Sequence, residues 1–255
     1  MTALRIQEEA NIYMFPVIEG TGKRRKDGGF KQTHSNAKAG RSTWVDPIRE
    51  LDDIYRIIDY LQRKSDQAVG AHKKAHDRNK LYFCIGIFSG FRVSDMLQLR
   101  WSDIFEDDGK TYRERVGIKE KKTGKIKDLI TTKASRKYID EYVKRWNPNT
   151  ASDEYVFQNY NGEAINRQTV DNFIKSATKA IGLKGSYSTH TVRKTYAYQY
   201  FMFLRDEGEA FALSKVQFML GHENPSTTLR YLGITQKSVS ESMEDFADAM
   251  MKDRG

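Results

Sequence analysis

Residues 89–104 read Ser-Gly-Phe-Arg-Val-Ser-Asp-Met-Leu-Gln-Leu-Arg-Trp-Ser-Asp-Ile. Just before them, Leu81, Phe83, Cys84, Ile85, Ile87 and Phe88 place apolar side chains on most faces of a helix over about residues 76–89. A helix that is apolar all round is expected to be buried. Gly90 ends it and lifts Arg92 to a position where the backbone is fixed. Asp95, three residues on, can hold the guanidinium by a charge-assisted pair. A shorter helix is expected from Val93 to about Arg100. Alone, an Arg–Asp pair at a helix start is most simply structural.

Working outward, Asp46-Pro47 reads as a helix start, with Asp46 as N-cap and Pro47 at the first helical position. Ile48, Leu51, Ile54, Tyr55, Ile58 and Leu61 then recur at helical spacing to about residue 66. On the other side, residues 111–132 alternate around Lys122-Thr123-Gly124-Lys125 and predict a β-hairpin. Residues 133–146 form a helix stopped by Asn147-Pro148, and Tyr155–Phe157 reads as a short strand. Residues 165–183 form a helix with Val170, Phe173, Ile174 and Ala177 inward and Gly182 as its stop. From Thr189 the chain is mostly helical, with breaks near Gly208, at Gly221–Pro225 and at Gly233. The expected class is mainly α with a small antiparallel β-sheet (α+β). No Gly-rich strand-to-helix turn suggests a Rossmann site or a P-loop.

The 255 residues are about 1.7 typical domain lengths, which predicts one large domain with an appendage. Residues 20–41 hold glycine pairs, the basic cluster Lys23, Arg24, Arg25 and Lys26, and almost no apolar residues. Residues 1–45 therefore read as a basic, partly flexible arm, and 46–255 as the folded domain. The single cysteine, Cys84, excludes a disulfide framework and a cysteine-based zinc module. No apolar run approaches a membrane span, and Glu8 and Glu9 oppose a secretory leader. A soluble cytoplasmic protein is expected. The net charge is +9, which favours polyanionic partners, chiefly nucleic acid. Residues 1–45 carry eight Lys/Arg against four Asp/Glu, and residues 225–255 four against five. The excess is thus absent from the tail.

The histidines differ in what they suggest. His72 and His76 lie four apart but lack a third ligand, so a solvated helix face is the simpler reading. His34 lies in the arm. His190 and Arg193 lie three apart at a helix start, with Ser188 or Thr189 as cap, so both can reach one anion. His222 follows the helix end at Leu220-Gly221, and Tyr231 lies nine residues further on. Lys122 sits at the hairpin tip with Lys119, Lys121 and Lys125, which suits solubility or contact with DNA phosphates.

Taken together, Arg92 in GFRVSD, Lys122 in KKTGK, His190-Thr-Val-Arg193 with Lys-Thr following, Leu220-Gly221-His222 and Tyr231 make a familiar order. The sequence resembles the catalytic domain of the tyrosine recombinase (phage integrase) family over about residues 46–240. The resemblance implies that family's catalytic-domain fold and a site-specific DNA recombinase working through a covalent 3′-phosphotyrosyl intermediate on Tyr231. It implies Arg92 and Arg193 as the phosphate clamp, His190 as proton acceptor and Lys122 as acid to the leaving 5′-oxygen. His222 would bond a non-bridging oxygen, and Asp95 would support Arg92. Lys121, Lys125 and Lys23–Lys26 would bind DNA.

No metal and no cofactor are implied. Planar guanidiniums suit a charged phosphoryl transition state, and a phenol can form the covalent intermediate. The implied partners are double-stranded target DNA, a homotetramer on DNA through a C-terminal helix over about residues 238–251, and accessory DNA-bending or directionality factors, with no membrane. The implied setting is the bacterial or phage-infected cytoplasm, associated with the nucleoid. Two departures stand out. About 45 residues precede the match, too few for the helical core-binding domain that often does so. The stretch from Arg193 to His222 is also long, around residues 203–215. The alternatives are a non-catalytic DNA-binding regulator of the same fold and a type IB topoisomerase-like nicking-closing enzyme.

Overall fold

The computed structural model describes residues 45–114, 116–119, 126–129, 132–234 and 236–252. In chain order the elements are α1 (Leu51–Asp66), α2 (Gly70–Ser89), α3 (Val93–Met96), α4 (Trp101–Ile104), β1 (Val116–Lys119), β2 (Ile126–Leu129), α5 (Lys133–Trp146), α6 (Arg167–Ala180), α7 (Thr189–Asp206), α8 (Ala212–Leu220), α9 (Pro225–Tyr231) and α10 (Gln236–Lys252). The architecture is mainly helical. β1 and β2 pair antiparallel, Val116 opposite Leu129 and Lys119 opposite Ile126. The expected hairpin tip, with Lys121, Lys122 and Lys125, lies outside the described residues. So does the arm with Lys23, Arg24, Arg25 and Lys26.

Apolar spacing accounts for the main core. α1 buries Ile54, Ile57, Ile58 and Leu61 on one stripe and packs on α2. α2 buries Leu81 through Ile87 without a break, because α1, α5 and α7 all pack against it. α6 buries Val170, Phe173, Ile174 and Ala177. A second, smaller cluster joins Ala197 and Leu204 of α7 to Ala212, Val216 and Leu220 of α8 and to Leu232. Tyr231 packs against this smaller cluster.

Four local expectations change. Residues 45–50 are not helical, and α1 starts at Leu51 with Glu50 as its N-cap. The reason is a set of long-range bonds that hold this segment extended. The Asp46 N–H donates to the Ser186 carbonyl at 2.7 Å, and Asp46 Oδ2 accepts the Ser186 N–H at 2.9 Å. The Ile48 N–H donates to Thr195 Oγ1 at 2.9 Å. Second, α2 begins at Gly70, six residues before the expected start.

Third, the helix expected from Val93 to Arg100 divides into α3 and α4. Between them Arg100 bridges Tyr155, the Val156 N–H donates to the Leu99 carbonyl at 2.9 Å and the Trp101 N–H to the Glu154 carbonyl at 3.0 Å. Those bonds need extended backbone at residues 99–101, and they reduce the strand expected at Tyr155–Phe157 to an isolated bridge. Fourth, α6 is shorter than expected at both ends. The Asn166 side chain caps it by accepting the Thr169 N–H at 2.9 Å, and Ile181 follows its last turn.

Candidate active site

Two helix ends and one helix start build the site. α2 ends at Gly90, whose φ of 65° is left-handed, and the chain then turns through Arg92 into α3. α8 ends at Gly221, with φ 64°, and the chain turns through His222 into α9. Asn224 caps α9 by accepting the Ser226 N–H at 2.9 Å, and Pro225 occupies its first turn. α7 starts at Thr189 with Ser188 as N-cap. The Ser188 N–H donates to Thr191 Oγ1 at 3.0 Å. His190 and Arg193 therefore lie in the first turns of α7.

Arg193 ties these turns together. It is 2% exposed. Its Nη1 donates to the Gly90 carbonyl, and its Nη2 donates to the Leu220 carbonyl at 2.7 Å. Both acceptors sit at helix C-termini, where carbonyls have no intrahelical donor and carry partial negative charge. One guanidinium thus fixes the turn before Arg92 and the turn before His222.

Tyr231 closes the constellation from the end of α9. The His222 ring meets the Tyr231 ring edge-on, with centroids 4.7 Å apart. The Arg193 guanidinium carbon lies 5.9 Å from the Tyr231 ring centroid. His222 is itself oriented, because Nδ1 hydrogen-bonds Thr228 Oγ1 at 3.1 Å and Thr228 is fully buried.

His190 is half-buried among cations. Burial pushes its pKa down first, and Arg167, Arg193, Lys194 and Arg92 push it further the same way. A neutral imidazole is what a proton acceptor needs. The arrangement as a whole can hold one tetrahedral anion between guanidiniums, beside an imidazole and a phenol.

Of the residues singled out in the sequence, the structure brings Arg193, His222 and Tyr231 into contact and sets Arg92 close enough to act on His190. Asp95 is buried and accepts the Ser94 hydroxyl at 3.1 Å. Its other oxygen has no hydrogen-bond partner. Arg92 is the N-cap of α3, with ψ 151°, and Asp95 lies in the first turn that follows. Sequence reading passed over Arg167, whose Nε donates to Thr189 Oγ1 at 3.2 Å beside His190. It also passed over Thr228, and over Lys194, which directly follows Arg193.

The same order of motifs over one fold identifies the family. The model of the phage integrase family matches residues 50–237. The chain belongs to the phage integrase family. Among family relatives it is similar to the probable integrase/recombinase YoeC of Bacillus subtilis (strain 168), at 29% identity over 203 residues, 79% of this chain and 97% of that one. It is also similar to tyrosine recombinase XerD of Listeria monocytogenes serotype 4b, at 25% identity over 199 residues, 78% of this chain and 62% of that one. The chain therefore spans less than two thirds of XerD. Its fold is shared with the XerH site-specific recombinase in a post-cleavage complex with a palindromic difH substrate, at a TM-score of 0.57 and 18% identity, covering 88% of this chain and 62% of that one. No helix among the described residues is long and apolar enough to cross a membrane.

Proposed function

We propose that this integrase-family chain cuts and rejoins double-stranded DNA at specific sites through a 3′-phosphotyrosyl bond to Tyr231. The observation that carries the reading is the convergence of Arg193 and His222 on the Tyr231 ring. The Tyr231 oxygen attacks the phosphorus, and the bond to the 5′-oxygen breaks. The Tyr231 proton passes to His190, and the leaving 5′-oxygen takes a proton from Lys122 at the hairpin tip. Arg92 and Arg193 hold the non-bridging oxygens as charge builds on them, and His222 adds one hydrogen bond. Asp95 supports the turn that carries Arg92. Rejoining reverses the step with a new 5′-hydroxyl as nucleophile, so neither metal nor nucleotide cofactor enters the scheme.

The remaining assignments belong to the same reading. Residues 46–255 form the catalytic domain, Lys121, Lys122 and Lys125, between β1 and β2 in the sequence, bind DNA, and Lys23–Lys26 within residues 1–45 track its backbone. Four copies assemble on two sites through a Holliday junction, with accessory bending or directionality factors, in a bacterial or phage-infected cytoplasm at the nucleoid. Assembly through the C-terminal helix is supported by α10, where Val239, Met243, Phe246 and Met250 recur at helical spacing and are exposed. Such a stripe suits docking on a neighbouring copy.

The test is a nicked suicide duplex built on the sequence that the protein itself enriches from a random pool, followed by a denaturing gel. A covalent adduct is expected from the native chain and none from Tyr231→Phe. An adduct that persists in Tyr231→Phe overturns the assignment. Tight binding without any adduct favours the non-catalytic regulator. Relaxation of supercoiled plasmid without recombinant product favours the topoisomerase-like enzyme.

A further inference from the structure

α7 buries two cations in succession, Arg193 at 2% exposure and Lys194 at 7%. An ammonium taken out of water needs compensation. Lys194 Nζ donates to the Val45 carbonyl at 2.7 Å and stands 5.4 Å from the Tyr231 ring centroid. Burial pushes its pKa below the ordinary lysine value, and the nearby Asp46 carboxylate opposes that shift. A desolvated cation near an aromatic ring is held more firmly than a solvated one.

Val45 opens the extended segment 45–50 that precedes α1. Further bonds fix this segment on α7 and the α6–α7 connection. Asp46 pairs with Ser186, the Ile48 N–H donates to Thr195 Oγ1, and Gln199 Nε2 donates to the Arg49 carbonyl at 2.6 Å. The same segment reaches the turn that follows Tyr231. A Cβ placed on Gly233 would come within 2.5 Å of Arg49 Nη2, so the Arg49 guanidinium lies against the backbone just after Tyr231. The strap formed by residues 45–49 therefore grips α7 on one side and the end of α9 on the other. Lys194 touches both the strap and the ring.

We infer that Lys194, anchored on the Val45 carbonyl, is a positioning residue that holds the Tyr231 ring in its docked orientation and couples it to the strap ahead of α1. This rests on the reading of Tyr231 as the nucleophile. His222 and Arg193 locate the ring relative to the phosphate-binding turns. Lys194 locates it relative to a segment that no phosphate contact needs. A compact ammonium with three rotatable donors can serve the carbonyl and the ring together.

The experiment uses the full chain with 3-fluorotyrosine at position 231, read by fluorine NMR without DNA and by single-turnover adduct formation on the enriched duplex. In Lys194→Met the fluorine line moves and adduct formation slows by about tenfold at an affinity for the duplex that changes by no more than about twofold, while Lys194→Arg restores the rate to within about threefold. An unmoved line and a native rate in Lys194→Met overturn the inference. If Lys194→Met does not fold, Arg49→Met loosens the strap without emptying the buried position. A moved line with slowed adduct formation then supports the coupling, and a native line and rate overturn it. Should Tyr231→Phe still form an adduct, the nucleophile reading fails, and the fluorine line alone decides whether Lys194 holds the ring.

Discussion

α2 and α7 pack against each other, and the second half of α2 and the first half of α7 bury different kinds of side chain. α2 buries Leu81, Tyr82, Phe83, Cys84, Ile85 and Ile87, which is transfer of apolar surface from water. α7 buries Thr189, Thr191, Arg193, Lys194 and Thr195, which is tolerated because hydrogen bonds from Arg193 Nη1 and Nη2 and Lys194 Nζ, and to Thr195 Oγ1, offset much of the desolvation. The first helix is scaffold. The second costs more to bury and holds charges where an anion can use them. Stability and chemistry should therefore separate by helix, and four measurements can break or sharpen that division.

The largest effect on stability belongs to α2. Phe83→Ala, at a position 1% exposed, should cost about 3–5 kcal/mol in a urea melt. Its rate of adduct formation per folded molecule should stay native. A rate that falls with it would show that the division by helix is false. Next comes Arg193→Met, which removes the donors to the Gly90 and Leu220 carbonyls. Adduct formation should fall by about 10²–10³-fold. The urea melt should move by no more than about 2 kcal/mol, because an apolar chain replaces a buried charge. A larger loss of stability would make Arg193 chiefly a staple.

Thr228→Val is a smaller probe of the same seam. It deletes the bond to His222 Nδ1 and should cost about 1 kcal/mol, with slower adduct formation at unchanged DNA affinity. A native rate would mean that packing against Tyr231 alone orients the imidazole.

The smallest effect is a pH slope. Because the folded-state pKa of His190 lies below the ordinary 6.5, the unfolded chain binds more protons as pH falls through 6.5. His190 thus leaves stability whole above 6.5 and erodes it between that value and the lowered folded pKa. His190→Gln should flatten this part of the stability–pH curve. Arg167→Gln should flatten it partly, since Arg167 is the largest charged contributor to the shift. An unchanged slope in His190→Gln would assign the pH response elsewhere.

Much of the scaffold is legible from side-chain spacing, because α1, α5 and α6 each bury a periodic apolar stripe. The ends of elements are less so. Asp46-Pro47 satisfies every local rule for a helix start, yet Ser186 and Thr195, about 140 and 147 positions away, hold the segment extended. No local pattern carries a bond of that range. The site divides the same way. Arg92, His190, Arg193, His222 and Tyr231 are legible as short motifs in order. The partners of Arg193 are main-chain carbonyls, which no residue type announces. Lys194 adjoins a motif arginine and looks like one more surface cation until the packing of α7 is known.

The approach of α7 to α2 depends on two missing methyl groups. A Cβ on Gly86 would come within 2.5 Å of Val192 Cγ1, and one on Gly90 would run into the Tyr196 ring. Val192 is the neighbour of Arg193, so the gap between the two arginine-bearing turns is set by glycines one helical turn apart. They act as a spacer of zero thickness. On the proposed function, every added carbon there would widen the jaws meant to close on a phosphate, and a fault in the least reactive part of the chain would read out as a loss of grip on DNA.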